Sequence, residues 1–375
     1  VIQMLTSPNI PSMMRAVQGK GYGDIDTMLS VQEHVKVPRL SDAPEKKRKN
    51  SMIIKVLAVA LAPGDCRVLS GKTREFQGPP SMPYVPGGDC CGIVVELPEN
   101  TDDLPFKVGD RVAVRFDEKP AGALGEYALV STRISAKVPD ALSSDEAAAL
   151  ASASPAVELA EKIQKGERVL VMGAGGGIGS HFCQVLRERG ASFIAGVSKS
   201  PDRLLKAPLL CDKAFDYTCE DPFSSEELKN NPFDVIVDFA SGGWPRLLED
   251  ERQRIPSIVK PATLGGRYIT TTPDSPIFEA HSLWELLQVF LFPALWRALY
   301  SRTWSRSRLP GYTFGTALSS QRTFVTKSMD LFSSQKLKPV MEGPFPFTTE
   351  GVRSAFRLQE SRHAHGKVVI HVADK

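Results

Sequence analysis

Between Arg168 and Ser180 the chain reads RVLVMGAGGGIGS, an apolar run passing straight into glycines and then into a helical pattern, HFCQVLRERGA. The spacing is Ala174-x-Gly176-x-x-Gly179, with alanine at the first position of the usual G-x-G-x-x-G. A backbone that turns this sharply presents bare N–H groups at a helix N-terminus, and those donors with the helix dipole suit a pyrophosphate. Ala174, Gly176, Gly177, Ile178 and Gly179 are therefore the candidate contacts to a dinucleotide. A purely structural strand-to-helix turn carries the same glycines. The buried-strand run Val169–Met172 before them and the helical period of His181–Arg189 after them favour the dinucleotide.

The next apolar run, Phe193–Val197, ends where a dinucleotide fold chooses between cofactors. An NAD site places an acidic side chain there to accept from the adenosine ribose. This chain offers Ser198, Lys199 and Ser200, then Arg203. A carboxylate would repel the 2′-phosphate of NADP, whereas a hydroxyl and two cations pair with it. The residues point to NADPH over NADH; the alternative is that Lys199 and Arg203 only decorate a solvated loop.

At 375 residues and 42% hydrophobic content the chain suits two domains with real cores. A net charge of +3 and the lack of any nucleic-acid motif argue against nucleic acid as a partner. Cys66, Cys90, Cys91, Cys183, Cys211 and Cys219 form neither a CxxC pair nor a disulfide framework, and read as reduced intracellular thiols. An opening on Val1 is consistent with a processed or trimmed form of a longer precursor.

Arg15–Gly19, Met52–Leu61, Gly92–Leu97, Arg111–Phe116 and Tyr127–Ser131 are short β-like runs spaced as in an antiparallel barrel or sandwich. Pro44–Asn50, PEKKRKN, reads as a solvated hairpin tip. From about Ser154 strand and helix alternate, with strands at Arg168–Met172, Phe193–Val197, Lys213–Phe215, Val235–Phe239 and Arg267–Thr271, the order of a doubly wound parallel sheet. The end, from Leu337, is again strand-rich and is expected to rejoin the first domain. The expected organisation is 1–153, 154–336 with an inserted segment 282–308, and 337–375 returning to the first domain.

PYVPGGDCCGIVVE (Pro83–Glu96), FKVGDRVAV (Phe106–Val114), GALGEYALV (Gly122–Val130), AAAL (Ala147–Leu150), the glycine turn, DYT (Asp216–Thr218), LGGRYIT (Leu264–Thr270) and HAHGKVVIHV (His363–Val372) occur in the order seen in medium-chain dehydrogenase/reductases. The resemblance covers nearly the whole chain and is nearest to the quinone oxidoreductase branch. The added segment after Thr272 is similar to that of reticulon-interacting mitochondrial oxidoreductases. It implies an α/β fold: a Rossmann doubly wound parallel sheet plus a GroES-like antiparallel β-barrel domain that handles substrate. It also implies residence in an organelle, a mitochondrion more than a plastid, and leaves room for a homo-oligomer.

Zinc members of this superfamily hold the metal with a cysteine and a His-Glu pair. The matching positions here are Ala62, Gly88 and Asp89, and a lone carboxylate cannot hold Zn²⁺. The four-cysteine lobe for structural zinc is missing as well, since no cysteine lies between Cys91 and Cys183. A zinc-independent reductase with no metal site follows. Without a Lewis acid the acceptor must already be electrophilic, such as a quinone or an α,β-unsaturated carbonyl, with NADPH carrying the hydride and the protein supplying orientation. The resemblance places Lys199, Arg203 and Tyr217 around the 2′-phosphate, and Ala240, Ser241 and Gly242 beside the nicotinamide. Ala62, Asp65 and Tyr84 are candidates for the substrate cleft; the catalytic residue itself is unassigned.

Two positions depart from the family pattern. Ala62-Pro63-Gly64-Asp65 stands for N-P-x-D, and Pro155-Ala156-Val157 for L-T-A. Each lost hydrogen bond costs on the order of 1–3 kcal/mol, which leaves open an accessory or assembly subunit of an organellar membrane complex that still binds NADPH. The inserted segment Ser282–Arg308 starts apolar and turns arginine-rich, with no acidic residue from Leu286 to Met329. Glu285, Gln288 and Pro293 interrupt it too often for a bilayer span. It suits contact with a membrane interface or a membrane complex, or a helical lid packed on its own domain.

Overall fold

The computed structural model describes residues 10–79, 81–98, 104–115, 122–275, 278–315 and 322–375. They divide into two compact units.

The nucleotide-type unit takes the described residues of Pro155–Ser319 with Gln335–Lys338. Its sheet has six strands, all parallel, in the order Lys213–Asp216, Phe193–Ser198, Arg168–Met172, Val235–Asp238, Arg267–Thr270, Gly311–Phe314. Strands buried on both faces need continuous apolar runs, which is why RVLVM and VIVD do not alternate. The chain moves outward from Arg168–Met172 in one direction and restarts in the other at Val235–Asp238. These two neighbours therefore flank the switch point, where a doubly wound sheet opens a crevice at the carboxyl ends of its strands. The sixth strand, Gly311–Phe314, was not expected: four residues after Pro310 are too few to register as a periodic run.

The other unit takes the described residues up to Ser154, the helix Arg322–Ser333 and Pro339–Lys375. Its seven-stranded sheet is built around Ser51–Leu61, which pairs antiparallel with Asp89–Glu96, Tyr127–Ser131 and Lys367–His371. With three partners, this strand is buried almost end to end. Met341–Pro346 and Lys367–His371 form the one parallel pair in it, joined through the helix Thr349–Ser361. Met13–Gly19 and Leu29–Lys36 add a two-stranded hairpin.

The expected boundary at 336 does not hold for Arg322–Ser333. Arg322 donates to Thr132 O at 2.6 and 3.2 Å and lies over the Phe106 ring, while Val325 and Met329 are buried, so the helix packs in the first unit. The expected strand Arg111–Phe116 stops at Val114, and Phe116 lies outside the described residues. The PEKKRKN tip is exposed except at the half-buried Asn50 and holds a short helix, Glu45–Arg48.

Candidate functional site

The strand Arg168–Met172 ends at Gly173, whose φ of +77° only glycine adopts freely. The turn then folds back on the neighbouring strand: Gly173 N and Ala174 N both donate to Val197 O, at 3.1 and 3.0 Å. Ala174 is fully buried, and a Cβ on Gly196 would come within 2.9 Å of the Ala174 methyl. Alanine at the first glycine position is thus matched by a glycine on the strand it faces. At Gly179 a Cβ would sit 2.2 Å from Gly173 O, so the third glycine is what lets the helix Gly179–Glu188 start against the turn. At Gly176 the only atom a Cβ would meet within 4 Å is Gly173 O, at 3.4 Å. That side of the turn is open.

The helix that follows has no side-chain cap at Ile178 and no acid in its first turn, so its positive end is uncompensated, although Ser180 N and Phe182 N already donate to Gly176 O and Ile178 O. The fully buried His181 places Nδ1 3.0 Å from Gly177 O and pins the turn from behind. An open, uncapped cradle of this kind fits a pyrophosphate.

Across the switch point, Asp238 is fully buried at the end of its strand. Its Oδ1 accepts from Ala240 N and Ser241 N, both at 2.8 Å, and its Oδ2 accepts from Gly243 N at 3.0 Å and from the Tyr268 hydroxyl. Burial and this carboxylate push the Tyr268 phenol well above its ordinary value, which keeps it a donor. The loop Ala240–Ser241–Gly242 is held by these bonds in a positive-φ turn, Ser241 at 75° and Gly242 at 97°. Ser241 Oγ donates to Thr272 Oγ1 at 3.1 Å. The amides of Ala240 and Ser241 are already committed, so only side chains and carbonyls of this loop remain to border a ligand.

Ser198 closes its strand in register with Asp216, and Lys199, Ser200 and Arg203 follow on exposed backbone. Among the described residues neither cation enters an ion pair. Tyr217 is 54% exposed beside them. An acid does stand on the adjoining strand: Asp216 is held below the usual carboxylate range by Thr218, whose hydroxyl and N–H both donate to Oδ1, and to a smaller degree by Lys199.

In the other unit a small recess is lined by Ala62, Gly64, Asp65, Gln77, Gly88 and Asp89. The three positions matched to zinc ligands, Ala62, Gly88 and Asp89, thus meet in one place. The donor set is two carboxylates with no sulfur or imidazole. Among the described residues no group of three His, Cys, Asp or Glu side chains is placed to share a metal. Asp65 caps the helix Pro63–Ser70 through Ala62 N, at 2.8 Å, and desolvation, with Asp89 adding repulsion, raises its carboxyl from 3.8 to about 7. The buried Asp89 accepts from Ser152 Oγ. Lys367, also buried, is lowered from 10.5 to about 8 by desolvation, which the Asp89 charge partly offsets. Tyr84 is buried, and its hydroxyl has no hydrogen-bond partner among the described residues.

Comparison with known proteins decides what carries these sites. Residues 48–140 match the family described as alcohol dehydrogenase GroES-like domain, and residues 209–370 the family described as zinc-binding dehydrogenase. The 2-methylene-furan-3-one reductase of Solanum lycopersicum is 31% identical over 98% of this chain and 81% of its own. The chain belongs to the medium-chain dehydrogenase/reductase superfamily. Two further relatives at 28% identity are the chloroplastic NADPH-dependent alkenal/one oxidoreductase of Arabidopsis thaliana, over 99% of this chain and 82% of that one, and the mitochondrial NAD(P)H oxidoreductase RTN4IP1 of Mus musculus, over 86% and 82%. The Escherichia coli quinone oxidoreductase, solved with NADPH, shares the fold at a TM-score of 0.68, with 20% identity over 96% of this chain and all of that one.

Within this medium-chain dehydrogenase/reductase, sequence reasoning did not single out Asp238, Tyr268 or His181. Asp238 left a visible signal, a carboxylate ending the apolar run VIVD, whereas His181 reads as one more position on a helix. Ser152 and Lys367 lie far in sequence from Asp89, and nothing local in their surroundings points to it. Ala156, the other departure from the pattern, is buried in the helix Pro155–Ala160.

Proposed function

We propose that the protein is a zinc-independent, NADPH-dependent oxidoreductase that delivers hydride to a quinone or an α,β-unsaturated carbonyl. The observation that carries this reading is the open side of the turn at Gly176 leading into an uncapped helix, with free cations at Lys199 and Arg203 beyond the next strand. In it, the amides of Gly177, Ile178 and Gly179 receive the pyrophosphate, against the wall made by Ala174, while Gly176, whose own N–H donates to Gly173 O at 3.1 Å, leaves the space for it. Ser198, Lys199, Arg203 and Tyr217 receive the 2′-phosphate, and Ala240, Ser241 and Gly242 border the nicotinamide. When bound, NADPH supplies the hydride.

The chain's own part is binding, orientation and proton supply. A carboxyl raised to about 7 leaves Asp65 partly protonated near neutrality, so the recess with Ala62 holds a proton for a reduced acceptor; Tyr84 is the third residue assigned to this substrate site. Ala62 and Gly88 supply no metal ligand, so the acceptor must carry its own electrophilicity. The names of the relatives, a 2-methylene-furan-3-one reductase, an alkenal/one oxidoreductase and a quinone oxidoreductase, support that substrate class. Their mitochondrial and chloroplastic labels support an organellar residence, in our reading a mitochondrion.

The test is an acceptor screen. NADPH oxidation should appear with a small quinone or enone, should persist after a strong chelator, and should accompany no stoichiometric zinc by elemental analysis. One zinc per chain, or activity lost to chelation, contradicts the reading. NADPH binding without turnover of any acceptor would favour the accessory-subunit alternative that Ala62 and Ala156 raise.

A further inference from the structure

Within the nucleotide-type unit, Leu283–Leu286, the π-helical turn Leu287–Leu291 and Phe292–Arg302 follow without a break. One face of this element is already used. Ala294, Ala298 and Tyr300 pack on the unit's core, Ser301 Oγ accepts from Tyr312 N at 3.0 Å, and Arg297 is paired with Asp274. The element is therefore attached to its unit without its other face.

That other face is apolar too. Leu291, Leu295 and Leu299, and likewise Phe292 and Trp296, recur every four residues, Trp284 stands seven residues before Leu291, and all are exposed, the two tryptophans by 60% and 59%. Trp304, 68% exposed, continues the row, its ring 6.0 Å from that of Trp296. Thr263 N donates to Arg306 O at 3.0 Å, which brings Leu264, 70% exposed, to the same end. A row this long exceeds the scattered apolar residues of an ordinary surface.

Charge decides what covers it. Arg302 and Arg306 are exposed at the end of the row and enter no ion pair among the described residues, and no acidic residue occurs in the sequence from Leu286 to Met329. A second copy docked face to face would bring arginines to arginines or, if reversed, to Glu285, the one carboxylate on this element, whose Oε2 already accepts from His281 N at 2.8 Å. A surface that accepts tryptophan, phenylalanine and leucine while offering negative charge to arginine is an anionic lipid bilayer, with the apolar row in the acyl boundary and the guanidinium groups among the headgroups. No helix among the described residues is long and apolar enough to cross a membrane, which fits an element lying in the interface plane. We propose that this face docks the protein on an anionic lipid surface.

Flotation of the full chain with phosphatidylcholine vesicles, with and without phosphatidylserine, tests it. The parent should float with the phosphatidylserine vesicles, its tryptophan emission should shift to the blue, and added salt should weaken the association. Trp284→Ser with Trp296→Ser should abolish flotation. Arg302→Glu with Arg306→Glu should reduce affinity for phosphatidylserine vesicles about tenfold or more. Both pairs are on exposed positions and should leave the thermal midpoint unchanged, which separates lost docking from lost folding. A parent that stays with the soluble fraction, or variants that float as well as it does, overturns the proposal. So does a dimer in sedimentation equilibrium that the tryptophan pair dissolves, which would assign the face to a second copy. None of these readouts uses NADPH or turnover, so failure here leaves the proposed reaction standing.

Discussion

At the glycine turn the working groups are main-chain N–H donors, and side chains matter by being absent. Around Ala62 the working groups are side chains, Asp65, Asp89, Ser152 and Lys367, brought together from four stretches of chain. The turn is shaped by what cannot fit: a Cβ on Gly179 would lie 2.2 Å from a carbonyl. The recess is shaped by burying charged groups in low dielectric, which pushes one carboxyl up to about 7 and one ammonium down to about 8. A main-chain site is broken by adding atoms, and a side-chain site by changing a charge.

The largest effect falls where the two means meet, at Asp238, a buried side chain that holds a main-chain loop. Asp238→Ala leaves three amides and the Tyr268 hydroxyl unsatisfied, and should cost on the order of 4 kcal/mol of stability. Denaturant unfolding measures it; a loss within experimental error would show that the loop Ala240–Gly242 holds itself.

Gly179→Ala comes next, at about 3 kcal/mol from overpacking against Gly173. Gly176→Ala, at an open position, should leave the unfolding midpoint near that of the parent while weakening dinucleotide binding. Equal stability losses at both positions would mean that the turn is packed throughout and offers no cradle.

In the recess the smaller signature is a slope with pH. A carboxyl raised from 3.8 to about 7 binds its proton more tightly in the folded chain, so its contribution to stability is full below 3.8 and is lost as the pH rises through about 7. Asp65→Asn should flatten thermal stability across that window. A variant that keeps the parent's slope there would place the titration elsewhere.

These same differences decide what could be read from the sequence. Steric exclusion of a Cβ acts within a few residues, so Ala174-x-Gly176-x-x-Gly179 announced the turn. The lack of an acid after Phe193–Val197 is equally local, although Asp216, from the adjoining strand, stands in register with Ser198. Ala62, Gly88 and Asp89 could be matched only by family resemblance, because their meeting depends on strands paired across the sheet. The helix Arg322–Ser333 falls inside the expected range 154–336, but it is held through Arg322 and Thr132, a pairing across 190 residues that no periodicity carries. The segment from Ser282 was legible as aromatic and arginine-rich; which face it spends on its own unit became visible only from Ala298, Tyr300 and Ser301.

The central claim is that a main-chain cradle with free cations at the following strand end selects NADPH. A binding titration of the unmodified protein with NADPH and NADH tests it most directly, with Lys199→Ala/Arg203→Ala in parallel. NADPH should bind at least about tenfold more tightly, a difference of roughly 1.4 kcal/mol, and the double variant should lose most of that gap while keeping its affinity for NADH. Equal affinities in the unmodified protein, or a preference for NADH, would contradict the account.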